Sequence, residues 1–195
     1  MGKLTQPRSL LFDTNGNLLV LQVGSGITVH TFGADGCINS TTSLIASRYL
    51  NHGLALTPDG KTLYGSSPTT AWSWSYDAAT MKLSDQKTVI KGMSPSGHNT
   101  RTVQVVPQQP NLLLAQVGSN ANWDYQSESP SAGRSIVKVF DMSKVPDGGY
   151  TYNSQGQVLG YGMRNEIALT FDPAGNVWGA ENSGDVSGSF SSPKF

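Results

Sequence analysis

Apolar positions along this chain fall in short runs, many alternating with polar residues, and each run is soon cut off by Gly, Pro, Asn, Asp or Ser. A two-residue alternation is the signature of a strand with one covered face, and no segment holds a 3.6-residue apolar period through three turns. "RTVQVV", Arg101 to Val106, shows the alternation in Val103 and Val105. "SKVPDGG", from Ser143, is stopped by its own proline. The pattern predicts an all-β chain of antiparallel sheets.

One unit recurs: an apolar strand, a turn built from Pro or Asp with Gly or Asn, and a second apolar strand. Its copies are "RSLLFDTNGNLLVLQ" from Arg8, "HGLALTPDGKTLYGSS" from His52, "RTVQVVPQQPNLLLAQVGS" from Arg101 and "EIALTFDPAGNVWGAENSGD" from Glu166. Thr14, Pro58, Pro107 and Pro173 hold equivalent turn positions, separated by 44, 49 and 66 residues. The first two spacings match the ~40 to 50 residues of a propeller blade. The third is stretched by "NANWDYQSESPSAGR", Asn120 to Arg134, which reads as an inserted loop on one rim. Further strand-like runs, "ITVHTFG", "TTAWSWSYDAATMKL" and "SIVKVFDMSKV", follow the first three hairpins. A β-sandwich also has many short strands. The repeated internal order favours a β-propeller, in which four-stranded blades pack face to face. About three to four blades are expected, the first lacking a preceding strand and the fourth stopping after its hairpin, so the chain reads as a single, incomplete propeller domain over residues 1–195.

Composition adds little to that picture and removes several functions. The chain has 195 residues, with 13 Lys and Arg against 13 Asp and Glu. No long run of either sign exists to mark a nucleic-acid or membrane-surface binder, so a small or neutral ligand is expected. One cysteine, Cys37, rules out an intrachain disulfide and a cysteine metal cluster. No apolar run approaches a membrane span, and the N-terminus, "MGKLTQPRSLLFD", has no signal-peptide apolar stretch. The sequon at Asn39 to Thr41 is compatible with a surface loop.

In a propeller, loops entering the innermost strands converge on the central channel, so polar residues there are site candidates. Three places qualify: His98 and Arg101 in "GHNTRT", Arg164 to Glu166 in "GMRNE", and the run "AENSGD" from Ala180 to Asp185. A nearby cation disfavours imidazolium, and neutral imidazole can accept a proton, so His98 is read either as a base or as a loop histidine bonded to backbone. Arg164 and Asn165 supply a guanidinium fork and an amide suited to carboxylate or quinone oxygens, or to a blade-to-blade clamp. "ENSGD" offers the oxygen donors a hard cation requires, as many plain turns do. His30 and His52 share no metal-ligand spacing with His98 and read as structural. "WSWSY", Trp72 to Tyr76, reads as blade packing.

"NHGLALTPDGKTLY", "GHNTRTV" and above all "GMRNEIALTFDPAGNVWGAENSGD" resemble the sorbosone dehydrogenase-like, soluble quinoprotein glucose dehydrogenase superfamily, nearest its fungal pyranose dehydrogenases. The likeness runs from about Arg8 to Asp185. It implies a six-bladed propeller that oxidises a sugar with pyrroloquinoline quinone and calcium, outside the cell, passing electrons to an acceptor such as a cytochrome domain or a separate protein. By resemblance, His98 is the general base, Arg101 lies beside the cofactor as a second catalytic residue, and both join Arg164 and Asn165 in contacting the quinone. Ser183, Gly184 and Asp185 would be the calcium turn. After Asp185 the chain departs from the family, ending in "VSGSFSSPKF", a low-complexity stretch over 186–195 that reads as a disordered tail. On this reading the chain carries about half of a site. Two alternatives stand beside it: a non-catalytic propeller scaffold, and a calcium-dependent lactone hydrolase.

Overall fold

In the computed structural model, which describes residues 4–183, nearly all regular structure is strand. The first sheet holds β1 (Pro7–Phe12), β2 (Leu18–Gln22), β3 (Gly26–Phe32) and β4 (Ile38–Ala46) in that order, all antiparallel. The second holds β5 (Leu54–Leu56), β6 (Thr62–Ser66), β7 (Thr70–Asp77) and β8 (Lys82–Lys91). The third holds β9 (Val103–Val106), β10 (Gln109–Val117) and β11 (Ile136–Asp141). Between the second and third sheets the chain exchanges a piece: β12 (Tyr150–Thr151) pairs in parallel with the outer edge of β8, before β13 (Gln157–Tyr161) returns to complete the third sheet. The fourth is a hairpin of β14 (Glu166–Phe171) and β15 (Val177–Glu181).

The recurring turn explains the recurring hairpin. Asp13 accepts hydrogen bonds from the Asn15 and Asn17 backbone N–H groups at 2.9 and 2.8 Å, and its other oxygen takes the Asn17 amide at 2.9 Å. Asp172 holds Asn176 in the same way, through backbone and side chain, both at 2.9 Å. In each case the residue directly before Asn17 or Asn176 is a glycine at positive φ, 78° at Gly16 and 86° at Gly175, where a side chain would be strained. The second copy substitutes Thr57 for the aspartate and keeps Gly60 at φ 72°.

β1 contacts β5, β5 contacts β9, and β9 contacts β14, so the first strand of each hairpin lines a common axis. That is the geometry of propeller blades: among the described residues, three sheets of at least four strands and a two-stranded hairpin in the place of a fourth. The first blade has its full four strands, where the sequence suggested one missing; β1 itself is the innermost strand.

Each blade-to-blade seam is an apolar layer. Leu19, Leu21, Ile27 and Val29 of the first blade meet Leu63, Trp74 and Tyr76 of the second. Tyr64, Ala71 and Ile90 on the other face of the second blade meet Leu113, Ala115, Val117 and Phe140. Leu114 and Val137 continue to Leu169 of the fourth. Odd and even positions of a strand in a middle blade thus serve different seams: in β10, Leu113, Ala115 and Val117 join the layer against the second blade and Leu114 the layer against the fourth, which is why residues 112–115 form an unbroken apolar run. At roughly 25 cal/mol per Å² of buried apolar surface these layers dominate the stability. The packing role of "WSWSY" holds: Trp74 and Tyr76 are buried and Trp72 packs against them. The outward faces carry exposed apolar side chains, Leu10 and Phe12 on β1 and Trp178 on β15.

Candidate active site at the channel rim

The entrances to β9 and β14 come together at one rim, and Ser119, at the end of β10, stands between them. Its backbone N–H donates to the Arg164 carbonyl at 2.8 Å, and its carbonyl accepts the His98 backbone N–H at 2.9 Å. The His98 ring is tied to the same residue, Nδ1 lying 3.0 Å from both the Ser119 carbonyl oxygen and Oγ. The Ser119 hydroxyl proton is spent on the Ala121 carbonyl at 2.8 Å. A carbonyl only accepts, so the bond to it assigns a proton to Nδ1, and of the two neutral tautomers it selects the one whose lone pair is on Nε2. Gly118 makes this approach possible: a Cβ there would lie 2.8 Å from the His98 Cβ and 2.9 Å from the Arg164 carbonyl oxygen.

Arg101 holds the loop that carries His98. It is fully buried, and its guanidinium donates to four backbone carbonyls, those of Pro68 (2.9 Å), His98 (2.6 Å), Thr100 (2.8 Å) and Ser94. Burial lowers its pKa to about 10, so it stays charged at neutral pH. In this arrangement it acts on His98 through the backbone.

Arg164 and Asn165 lead into β14. The Glu181 carboxylate, opposite across the hairpin, accepts the Arg164 backbone N–H and that of Asn165, the latter at 3.3 Å. The Arg164 guanidinium reaches the Asn182 carbonyl at 2.8 Å and the Asn122 side chain. Asn165 is buried, and its Oδ1 accepts from the Thr100 hydroxyl at 2.9 Å, joining the fourth blade to the His98 loop. Glu166 is buried with Oε2 unpartnered, and burial followed by the nearby Glu181 charge raises its pKa. A cavity of about 310 Å³ opens here, walled by Ser119, Arg164, Met163 and, from the inserted loop, Asn122, Trp123 and Tyr125. That loop has its own brace, the Arg134–Asp124 pair at 2.5 Å, which holds the Asp124 carboxyl below the usual range.

Thus the structure brings His98, Arg101, Arg164 and Asn165 to one rim, and adds Ser119, which no pattern in "QVGSN" marked. Ser183 is exposed at the end of the described chain, and Gly184 and Asp185 lie outside the described residues, as does the 186–195 tail. Among the described residues no three His, Cys, Asp or Glu side chains gather as a metal centre. His30 is held between Thr28 and Thr41 hydroxyls inside the first blade. His52 does more than open a hairpin: its Nε2 lies 2.8 Å from the Ile167 carbonyl, linking the second blade to the fourth across the channel.

The TrAA12-like family model matches residues 1–189. The chain belongs to this family. It is 43% identical over 186 residues to the pyrroloquinoline quinone-dependent pyranose dehydrogenase of Coprinopsis cinerea, covering 95% of this chain and 26% of that protein. In three dimensions the TrAA12-like chain superposes on the holo form of the quinone domain of the Coprinopsis pyranose dehydrogenase with a TM-score of 0.92 at 42% identity, covering 97% of this chain and 48% of the other. It superposes on a calcium structure of the Trichoderma reesei carbohydrate-active enzyme of family AA12 with a TM-score of 0.88 at 34% identity, covering 95% and 48%. The chain therefore spans about a quarter of the curated relative and about half of each solved chain.

Proposed function

We propose that this chain supplies one side of the active site of a quinoprotein that oxidises a sugar, with pyrroloquinoline quinone as cofactor and calcium as its metal. The names of the Coprinopsis and Trichoderma relatives support the cofactor, the metal and the sugar class. The observation within this chain that carries the reading is the Nδ1-protonated His98, held by Ser119 with Nε2 left as acceptor.

The residues at the rim fit a polyanionic quinone. Arg164 lines the cavity together with the carboxylates of Asp124, which is paired with Arg134, and Glu128, while His98 and Asn165 stand beside it, tied to Ser119 and Thr100. The quinone, when bound, supplies a carbonyl carbon that accepts hydride from the sugar. His98 Nε2 takes the proton of the sugar hydroxyl as the hydride leaves, and Ser119 stabilises the resulting imidazolium through the Nδ1–H bond. Arg101 keeps that imidazole in place by fixing the Ser94–Thr100 loop. Arg164 and Asn165 set a positive, hydrogen-bonding field where negative charge grows. Trp123 and Tyr125 wall the cavity and keep part of the bulk water out. Calcium would be held by Ser183, Gly184 and Asp185, as the family resemblance implies. The electron acceptor is a separate domain or protein.

The test loads the chain with quinone and calcium and follows both thermal melting and dye-linked oxidation of aldoses. A quinone-dependent rise in melting temperature that is reduced in Arg164→Met and kept in His98→Gln, together with sugar oxidation lost in both, is expected. No quinone-dependent shift in the wild-type chain would refute the reading.

A further inference from the structure

Beside the His98 loop, on the side away from Arg164, lies a second rim cavity of about 660 Å³ at the entrances to the first three blades. Its walls include Arg8, Arg48, Tyr49, Asn51, Asn99 and Thr100. The chain as a whole is neutral, yet this cavity has two guanidinium groups and no carboxylate in its lining. Both arginines are exposed, and neither guanidinium has a hydrogen-bond or ion-pair partner among the described residues. Such an uncompensated pair in a concavity focuses a positive field that attracts an anion, and a guanidinium fork matches a carboxylate in particular.

Two features make this a built wall and not a loose patch. The Asn51 side-chain amide donates to the Asn99 carbonyl at 2.8 Å, tying the cavity floor to the loop that bears His98. Tyr49 is 67% exposed and offers an aromatic face of the kind that covers the apolar side of a sugar ring. The cavity is separate from the one at Arg164: Asn99 and Thr100 line this one, whereas Ser119, which holds the His98 ring, lines the other.

We infer that the cavity at Arg8 and Arg48 is a subsite for a carboxylate-bearing sugar, a uronic or aldonic acid unit held beside the loop that carries His98. The sugar part rests on the dehydrogenase reading; the carboxylate part does not. The quinone cofactor also carries carboxylates, so the test separates the two sources.

The experiment titrates the quinone-free chain with D-glucuronate, with neutral D-glucuronamide and with pyrroloquinoline quinone, at low ionic strength, by calorimetry or NMR. Glucuronate is expected to bind roughly tenfold tighter than glucuronamide, and Arg8→Gln and Arg48→Gln each to weaken it about three- to fivefold, with Lys82→Gln as an unaffected control. Raising salt to about 0.15 M, which shortens the screening length to about 8 Å, should erode the preference. Equal affinities for acid and amide, or losses no greater than in Lys82→Gln, would overturn the proposal. So would Arg48→Gln weakening the quinone and leaving glucuronate unchanged. Because binding is read without quinone turnover, an inactive chain that still selects glucuronate keeps the subsite and loses only the dehydrogenase reading.

Discussion

Replacing Arg101 tests whether the His98 loop is held from within. Arg101→Met keeps most of the apolar stem and removes the charge and every donor, leaving the Pro68, Ser94, His98 and Thr100 carbonyls without their partner. A buried acceptor left unpaired costs about 1 to 3 kcal/mol. Removing the buried charge recovers part of its desolvation, and the outer carbonyls of the loop can take water. The balance is a loss of about 3 to 5 kcal/mol. For a chain of this size that is a fall in melting temperature of roughly 6 to 20 °C. Arg101→Lys offers three donors from a single point instead of a planar fork, so it should lose about 1 to 2 kcal/mol. The assay is thermal and urea unfolding of the three chains, with hydrogen exchange read at the His98 amide, which donates to the Ser119 carbonyl. Faster exchange at that amide in Arg101→Met is expected. If Arg101→Met melts within about 2 °C of the parent, below the shift a single kcal/mol gives, the four bonds are not holding the loop.

Other substitutions probe the seams and the rim. Tyr76 donates to Asp13 Oδ2 at 2.7 Å across the first seam, so Tyr76→Phe should cost about 1 to 2 kcal/mol by urea unfolding, with an unchanged midpoint refuting the assignment. His52 is buried at the channel, and desolvation lowers its pKa below 6.5. Its native form binds fewer protons than its unfolded form, so its contribution is present above pH 6.5 and is lost as pH falls through the lowered value. Melting between pH 7 and 5 should therefore fall less in His52→Asn than in the parent, and parallel curves would count against it. Glu166 has the opposite sign: its raised pKa means the native state holds the proton longer, so stability is lost as pH rises from about 4.5, the unfolded value. Glu166→Gln should flatten that decline in a melting series. Gly118→Ala pushes a methyl against both the His98 Cβ and the Arg164 carbonyl, and should abolish the quinone-dependent rise in melting temperature.

Local chemistry was readable and long-range pairing was not. "DTNGN" and "DPAGN" announce their turns because Asp, Gly and Asn each do a separate job within five residues. The seams were legible too, since an apolar residue at nearly every position of "LLVLQ" needs two covered faces. The strand exchange of β12 onto β8 was hidden, because nothing in "YT" specifies a parallel partner some sixty residues earlier. Ser119 was invisible for a similar reason: its contribution is a carbonyl, an N–H and a spent hydroxyl. Arg101 is recognisable as a cation at a rim, but its four partners are backbone oxygens that residue types do not record. Net charge is silent on such local detail, since a neutral total carries no trace of the two arginines that line one cavity, Arg8 and Arg48.

The contacts of the rim differ in how much chain they need. His98 meets Ser119 across 21 residues, inside a single blade, whereas Thr100 meets Asn165 across 65 and His52 meets Ile167 across 115. During synthesis the imidazole can therefore be given its orientation as soon as the third blade has emerged. Its arginine and asparagine neighbours must wait for the fourth. The histidine's orientation is thus set early and its surroundings late, and a ribosome paused between those two blades would present a correctly set imidazole on a half-walled rim.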